Sequence, residues 1–389
     1  MNRVRYTVFI PAFDNDSWLG GKNYFINLRN VLRKYSEDIE LHEIDFFNVP
    51  YKEKNKFEKK WIHFMFLLGN KRNRYNLPSD KGKFLNSVAK NKTVALSYSE
   101  AHIEQIEGIP WIYWLPDFQY KHLPNFFTTE DIRRRNEVIP KYISKSKRVM
   151  LSSMDSSNDM NFFFPGNNNK VDIVPFSICR DESVLSINPN YLLEKFRIPS
   201  NFIYVPNQFW AHKNHSLLLR ALTIAKKSCP DIFVVFSGNT NDPRSGKHFD
   251  ELLNFINQHQ LTDSLMILGV ISDEDVLQMF RLCKFIINPS LFEGWSTIAE
   301  EARLIGKKAL LSNLKVHYEQ NLKNCQYFDP YNEYILAELM VRNWQEITHG
   351  IDIESERKSL RENEYNVRRY ADSFRTCVVN ASRFNIFYN

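Results

Sequence analysis

The chain has 389 residues, of which 43% are hydrophobic and 25% charged, and its formal net charge is +6. These values are ordinary for a globular protein, so they exclude gross disorder, and the length is best divided between two domains. The five cysteines are scattered without metal-ligand spacing, which excludes a structural zinc site and favours a reducing compartment.

In the first half, short apolar runs alternate with helical patterns, which is typical of α/β folds with parallel sheets. The predicted strands are residues 6–11, 39–44, 93–97, 111–115, 148–152 and 171–175. The predicted helices are residues 21–35, 54–68, 129–145 and 153–163. We therefore expect residues 1–180 to form one Rossmann-like domain.

Residues 51–75 contain eight lysines and arginines around an apolar core. Such a segment can rest on anionic lipid headgroups, each basic residue contributing about 1 kcal/mol. An ordinary helix packed into its domain is the alternative. The longest nearly apolar stretch, 61–68, is too short to cross a bilayer, and the N-terminus has no signal-peptide core. We expect a cytoplasmic protein and leave peripheral contact with the inner face of the cell membrane open.

The polar stretch 179–200 reads as irregular and marks the predicted domain boundary. Strands are then predicted at 202–206, 231–238, 264–269, 284–289 and 307–312. Helices are predicted at 214–228, 247–259 and 272–282, after Gly294, and beyond about residue 331. We expect a second Rossmann-like domain over 198–370, and a C-terminal helix, 371–389, that packs on the first domain.

The most informative segment is NPSLFEGWSTIAEEARLIG, residues 288–306. Its strand breaks at Pro289, and a helix capped by Ser296 or Thr297 follows. This geometry aims free backbone N–H groups and the positive end of a helix dipole at an anion. Glu293 and Glu301 can then hold sugar hydroxyls beside it, which describes a nucleotide-sugar site. Read singly, each glutamate is equally an acid favoured near a helix start.

The loop after strand 202–206 brings His212 and Lys213 to the start of the next helix. A lysine there can place a point charge on a diphosphate. The alternative is a solvated lysine without a function. The glutamate pair on a later βα loop of the same sheet favours the functional interpretation, because ligands bind at the carboxyl ends of such strands.

Four strings together resemble the retaining GT-B glycosyltransferases of family 4, over nearly the whole chain: WLGGKNYFINLRNVL, PNQFWAHKNH, FEGWSTIAEEA and LLSNLKVHYEQ. The resemblance implies two Rossmann-like domains whose parallel sheets face a central cleft, with a helical C-terminal tail. It implies an N-terminal acceptor domain, a C-terminal domain that holds a nucleoside-diphosphate sugar, and no requirement for a metal.

Residue roles follow from the same resemblance. Lys213 would contact the diphosphate, Glu301 the ribose hydroxyls, and Glu293 the donor sugar near the reacting carbon. Other donor-binding residues implied by the motifs are Gly20, Gly21, Gly294, Trp295, Ser296 and Thr297. The glycine pair would let the first N-terminal loop approach the phosphate.

The chain departs from the family pattern at two donor positions. Gln208 stands where an arginine is common, so neutral hydrogen bonds from Asn207, Gln208 and His212 would have to compensate. Trp295 and Ser296 follow Gly294 where glycine and proline are frequent. Such changes are typical of a subgroup that acts in bacterial surface-polysaccharide assembly.

In the first domain, Asp117 matches an aspartate that the family places after a histidine, but Pro116 occupies the histidine position. His122 is our candidate for that role, against the alternative of a surface histidine. The triplet Asp14-Asn15-Asp16 imitates a metal-binding motif of another glycosyltransferase fold, yet it precedes the first helix, and we expect no metal there.

We therefore predict a hexosyltransferase-type enzyme that uses a UDP- or GDP-sugar, without cofactor, metal or nucleic acid, and a glycan acceptor that is lipid-linked. One alternative is a nucleotide-sugar 2-epimerase of the same fold, which needs no acceptor. Another is a non-catalytic scaffold subunit. A dinucleotide-binding oxidoreductase is disfavoured because no G-x-G-x-x-G follows any strand.

Overall fold

A computed structural model of the protein describes residues 5–11, 19–44, 92–99, 109–242, 244, 246–347 and 351–383. The predicted helix 54–68, the basic segment 51–75 and the triplet at 14–16 lie outside these residues. The chain forms two compact units. The first unit comprises residues 1–117, 133–179 and 366–389, and the second comprises 118–132 and 180–365.

The first unit contains a six-stranded parallel sheet in the order β2-β1-β3-β4-β5-β6. Its strands are β1 (Tyr6–Pro11), β2 (Ile39–Ile44), β3 (Lys92–Ser97), β4 (Trp111–Trp114), β5 (Arg148–Leu151) and β6 (Val171–Ile173). Its helices are α1 (Leu19–Tyr35), α3 (Thr129–Lys145), which starts in the second unit, and α4 (Met154–Phe163). Each predicted strand occurs with ends displaced by two residues or fewer.

The second unit contains another six-stranded parallel sheet, in the order β12-β11-β10-β7-β8-β9. Its strands are β7 (Ile203–Val205), β8 (Val234–Phe236), β9 (Leu265–Ile267), β10 (Phe285–Asn288), β11 (Ala309–Ser312) and β12 (Cys325–Phe328). Its helices are α2 (Gln119–His122), α5 (Tyr191–Phe196), α6 (His215–Ala225), α7 (His248–Gln258), α8 (Asp273–Leu282), α9 (Thr297–Ile305), α10 (Lys315–Gln320) and α11 (Glu333–Glu346).

The central strands of the second sheet are buried along their whole length. In β10, for example, all four residues are buried. A parallel strand covered by helices on both faces needs such an apolar run, and the run that ends before Pro289 is the signal that predicted β10. The core on one side packs Leu218 and Leu222 of α6 and Met340 of α11 against β7, β8 and β10.

Helix α12 (Ile353–Ser382) is one continuous element of 30 residues, whereas we predicted a separate C-terminal helix starting at 371. Its residues up to Tyr365 belong to the second unit and those from Asn366 to the first. Tyr370, Phe374 and Cys377 are fully buried in the core of the first unit. Within the residues that the structure describes, no helix is both long and apolar enough to cross a membrane.

One secondary-structure prediction was wrong, and several short elements were missed, among them helices α2 and α10 and strand β12. The stretch 179–200 is not irregular, because it contains a 3-10 helix, Glu182–Ser186, and helix α5. Strand β12 was not predicted, since its short sequence CQYF is only partly buried at the sheet edge and carries no clear apolar signal. Residues 118–132, which we assigned to the first domain, lie in the second unit.

Candidate functional site

The loops that follow β7 and β10 emerge side by side at the carboxyl edge of the second sheet, because these parallel strands are neighbours. The loops are joined directly. The backbone N–H of Leu291 donates to the carbonyl of His212 at 2.8 Å. Asn214, in the left-handed conformation with φ of 59°, donates its side-chain amide to the carbonyls of Pro289 and Pro330 at 3.1 and 2.8 Å.

Lys213 and Glu293, one from each loop, form an ion pair at 2.6 Å between Nζ and Oε1. Their side chains keep only 17% and 10% of their exposure, so the pair is largely removed from water while remaining reachable. The hydroxyl of Ser290 lies 2.6 Å and the amide of Asn288 3.3 Å from the same Oε1. Oε2 makes no hydrogen bond to any residue that the structure describes.

Asn288, at the end of β10, is a fully buried hub beneath this pair. Its amide nitrogen donates to the hydroxyl of Ser296 at 3.0 Å, and its oxygen accepts from the amide of Asn207 at 3.3 Å. The same nitrogen lies 3.5 Å from Nε2 of buried His317, whose Nδ1 donates to the Ser312 carbonyl at 2.7 Å. These hydrogen bonds hold the start of the loop that carries Glu293.

The surroundings of Glu293 favour its ionised form. Burial alone raises the pKa of this carboxyl, but the Lys213 ammonium, the hydroxyl of Ser290 and nearby His317 outweigh it, and the pKa lies below its ordinary value. Burial, opposed by Glu293, lowers the pKa of His317. The centre is therefore an ammonium–carboxylate pair beside a neutral imidazole.

Helix α9 begins where we expected, with Ser296 as its cap accepting from the N–H of Ala299 at 3.3 Å. The Ser296 backbone is held on both sides by Gln320, whose oxygen accepts from its N–H and whose nitrogen donates to its carbonyl. The N–H groups of Thr297 and Ile298, in the first turn, have no partner among the described residues. Gly306 ends the helix at φ of 67°.

Glu301 lies one turn further along α9, and its carboxyl forms no hydrogen bond or ion pair with the described part of the chain. Burial raises its pKa to about 8, with Arg180 opposing that rise and Asp273 adding to it. At neutral pH, this carboxyl is largely protonated in the structure, in contrast to Glu293.

The other predicted donor residues occupy the same edge. Asn207 and His212 are buried, and Gln208 is half-buried, with an amide that bonds to no described residue. Gly294 and Trp295 are half-buried, and Thr297 is exposed. The structure thus brings together every donor-binding residue that we predicted in the second half of the chain.

Three predicted residues belong to the first unit. Asp117 is half-buried after β4, and Gly20 and Gly21 lie in the first turn of α1. His122 belongs to the second unit, at the end of α2, where its exposed ring stacks on Phe292 at 5.2 Å between centroids. The structure therefore places His122 beside the residue that precedes Glu293.

Sequence reasoning missed Arg244, in the loop after β8. Its guanidinium contacts His212 and Gln119, and is held by Asp242. The usable signal was an arginine in another βα loop at the same sheet edge. Gly238 starts that loop at φ of +143°, and a Cβ there would lie 2.3 Å from the carbonyl oxygen of Asn207.

Among the described residues, no group of three or more His, Cys, Asp and Glu side chains is arranged to hold a metal ion. The donors at the site are the first-turn amides of α9 and the Lys213 ammonium, which keeps N–H groups beyond the one that Glu293 engages, and such groups bind anions.

Comparison with known proteins gives a family match and partial relatives. Residues 194–342 match the family described as Glycosyl transferases group 1, a range that contains Lys213 and both glutamates. Over 124 residues the chain is 25% identical to the serotype-specific mannosyltransferase WbdA of Escherichia coli. That match covers 32% of this chain and 15% of the mannosyltransferase, so the chain spans only a small part of this relative.

Solved structures resemble the chain over nearly its full length. Alr3699/HepE of Anabaena, in complex with UDP and glucose, has a TM-score of 0.62 at 13% identity, with 97% of both chains covered. The UDP-forming α,α-trehalose-phosphate synthase of Burkholderia vietnamiensis has a TM-score of 0.62 at 12% identity, again with 97% of both chains covered. At such identities the likeness establishes the fold, which is GT-B.

Proposed function

We propose that this protein is a retaining glycosyltransferase that moves a sugar from a UDP- or GDP-sugar to a hydroxyl of a lipid-linked glycan. The observation that carries the proposal is the Lys213–Glu293 pair beside the unpaired amides of α9. The family match over the second unit supports the reaction class. The partial likeness to a serotype-specific mannosyltransferase supports a role in cell-surface polysaccharide synthesis.

The difficult step is departure of the anionic diphosphate while the sugar gains positive charge. The Lys213 ammonium has three N–H donors, of which Glu293 engages one, so the others are available to phosphate oxygens. The amides of Thr297 and Ile298 add donors at the positive end of α9. Preorganised donors of this kind contribute about 3 kcal/mol each to such a step.

Glu293 is suited to orienting the donor sugar. Its Oε1 is fixed by Lys213 and Ser290, which leaves Oε2 to accept from sugar hydroxyls or to support the developing positive charge. We assign no covalent nucleophile. Glu301 accepts from the ribose hydroxyls, and Asp117 and His122 serve the acceptor side of the reaction.

We place the enzyme in the cytoplasm, in peripheral contact with the inner face of the cell membrane, because a lipid-linked acceptor is presented there. The donor and the acceptor are its partners, and the reaction needs no metal, since Lys213 and the helix amides supply the positive charge that a diphosphate leaving group requires.

The first test is isothermal titration of the full chain with UDP and with GDP, alongside the Lys213→Met variant. We expect one nucleotide to bind the parent protein and to bind the variant at least about tenfold more weakly, since a hydrogen bond to a charged group contributes about 1.5–3 kcal/mol. Binding of neither nucleotide sinks the enzymatic proposal and leaves a scaffold role.

The second test separates transfer from isomerisation. The matching nucleotide sugar is incubated with and without a lipid-linked glycan fraction, and both the released nucleotide and the sugar are analysed. Transfer predicts nucleotide release that depends on the acceptor. An isomerised sugar formed without acceptor indicates the 2-epimerase instead.

A further inference from the structure

Arg244 is held by five side chains of the second unit. Its Nε donates to Oδ1 of Asp242 at 3.2 Å, and one terminal nitrogen, Nη1, donates to Gln119 Oε1 at 3.0 Å. The other, Nη2, lies 3.1 Å from Nδ1 of His212. The rings of Trp210 and Phe127 lie 4.9 and 5.2 Å from the guanidinium carbon. A guanidinium fixed on three sides and stacked on two rings has little freedom to turn.

The contact with Arg244 determines which ring nitrogen of His212 carries the hydrogen. Guanidinium groups only donate, so Nδ1 of a bonded imidazole must accept. In a neutral ring the hydrogen then lies on Nε2, which makes no hydrogen bond to any described residue. The ring therefore keeps one donor, at Nε2, without a partner among the described residues, in the same 3-10 turn as Lys213.

Several groups keep His212 neutral. Burial is the main cause that lowers its pKa well below the ordinary value, and Lys213, Arg244 and His215 lower it further. One acid lies close by: the Asp242 carboxylate accepts from Nε of Arg244 and from the backbone N–H of Ala211. A neutral imidazole has one N–H donor, and the hydrogen bond made by one ring nitrogen decides whether the other is that donor.

We propose that Arg244 is a positioning residue that holds Nδ1 of His212 as an acceptor, so that Nε2–H donates to the diphosphate of the donor. This inference rests on the proposed function. It explains how the site works with Gln208 in place of a positive side chain. The guanidinium of Arg244 does not contact the diphosphate. It orients the neutral imidazole of His212, which donates the hydrogen bond. With the other tautomer, a ring lone pair would face the phosphate oxygens and repel them.

Three variants test the inference. Arg244→Met keeps an apolar stem between the two rings and removes every donor, whereas Arg244→Lys keeps a group that can only donate. His212→Gln places an amide nitrogen near the position of Nε2, and this donor needs no tautomer control. The tautomer of His212 is measured by nitrogen NMR of protein labelled at histidine, with His212→Gln identifying the signal.

In the parent protein we expect a single tautomer with the hydrogen on Nε2. Arg244→Met should lose that single state and bind UDP or GDP about tenfold more weakly, the effect of one hydrogen bond to a charged group, while Arg244→Lys should retain both properties. In the His212→Gln background, Arg244→Met should change nucleotide affinity less than about twofold, because the amide donor is already fixed.

If the Nε2–H tautomer persists unchanged in Arg244→Met, the inference is overturned, whatever happens to nucleotide binding. An equal loss of affinity in both the parent and the His212→Gln background also overturns it, since Arg244 then acts without His212. If the tautomer responds as expected but the parent binds neither nucleotide, the proposed function fails, and the control of His212 by Arg244 stands.

Discussion

Glu293 and Glu301 belong to one strand–loop–helix segment and are both withdrawn from bulk water, yet their surroundings move their pKa values in opposite directions. A single oxygen of Glu293 accepts hydrogen bonds from an ammonium, a hydroxyl and an amide. Among the described residues, the charges that act on Glu301 are those of Arg180, which lowers its pKa, and Asp273, which raises it. Burial is the largest influence on both carboxyls, so the difference lies in what the protein supplies to offset it.

The comparison separates two tasks. Glu293 is already ionised and oriented, as a group needs to be when charge develops close to it in a transition state. Glu301 has no hydrogen-bond partner among the described residues, so a bound ligand can supply donors to it. Sugar hydroxyls are such donors, and a carboxyl that gains them becomes easier to ionise.

The largest effect is expected at the positive partner of Glu293. Lys213→Met should lower kcat by about 10²–10³, the usual loss for one preorganised donor to a developing anion. Initial rates at saturating donor measure this. Lys323→Met, which removes an exposed lysine paired with Glu362, should leave the rate unchanged. Equal rates for parent and Lys213→Met would remove Lys213 from the mechanism.

The next effect concerns stability at Glu293. Glu293→Gln should lower the free energy of unfolding at pH 7 by about 2 kcal/mol, less than for a fully buried pair because Lys213 keeps some exposure. The folded-state pKa of Glu293 is lowered, so its contribution is present above the ordinary pKa and lost as the pH falls through the folded-state value. The difference in the free energy of unfolding between parent and variant should therefore become smaller at acidic pH.

Denaturant titration at several pH values gives the required free energies. Glu338→Gln is the matched control, because Glu338 pairs with Arg342 four residues on along the surface of α11. Such an exposed pair contributes about 0.3–0.5 kcal/mol. If the stability difference between the parent and Glu293→Gln does not depend on pH, the ion pair does not cause the stabilisation.

Glu301 should make nucleotide affinity depend on pH. Because the pKa of free Glu301 is about 8 and ribose hydroxyls favour the ionised carboxylate, binding releases a proton, and affinity should rise with pH up to about 8. The expected rise is about tenfold between about pH 6.5 and 8, since one pKa unit corresponds to a factor of ten. In Glu301→Gln, only the smaller rise caused by titration of the phosphate should remain. A rise as large as that of the parent would locate the proton elsewhere.

Periodicity and turn chemistry were sufficient for most of the fold and for placing the candidate residues on neighbouring loops of the second sheet. The buried run FIIN, the serine cap and Gly306 each carry a local signal, and β10 and α9 have the expected bounds within one residue. Likewise, Lys213 could be paired with the glutamates because both follow strands of one sheet. The proximity of the two loops follows from strand order.

The features that could not be predicted from the sequence depend on contacts between segments that are far apart along the chain. Nothing local in NDPRSG shows that Arg244 reaches His212, or that Gln119 joins them from 125 residues away. The opposite pKa shifts of the two glutamates arise from three-dimensional neighbours, so the motif alone did not indicate this difference. The α5 helix was missed because its six residues lie in a polar stretch and rely on tertiary packing around buried Leu192.

The smallest effect is expected at Ser296, which lies between the two glutamates. Ser296→Ala removes the cap of α9 and the hydroxyl that accepts from Asn288, so the free energy of unfolding should fall by about 1 kcal/mol. Ser272→Ala removes the equivalent cap of α8, where Ser272 accepts from the N–H of Asp275, and should cause a similar loss. Only Ser296→Ala should also weaken nucleotide binding, because the first turn of α9 and the Asn288 hub both belong to the proposed diphosphate site. If the two variants bind UDP and GDP equally well, the N-terminus of α9 does not contact the diphosphate, and Lys213 must hold it without help from the helix amides.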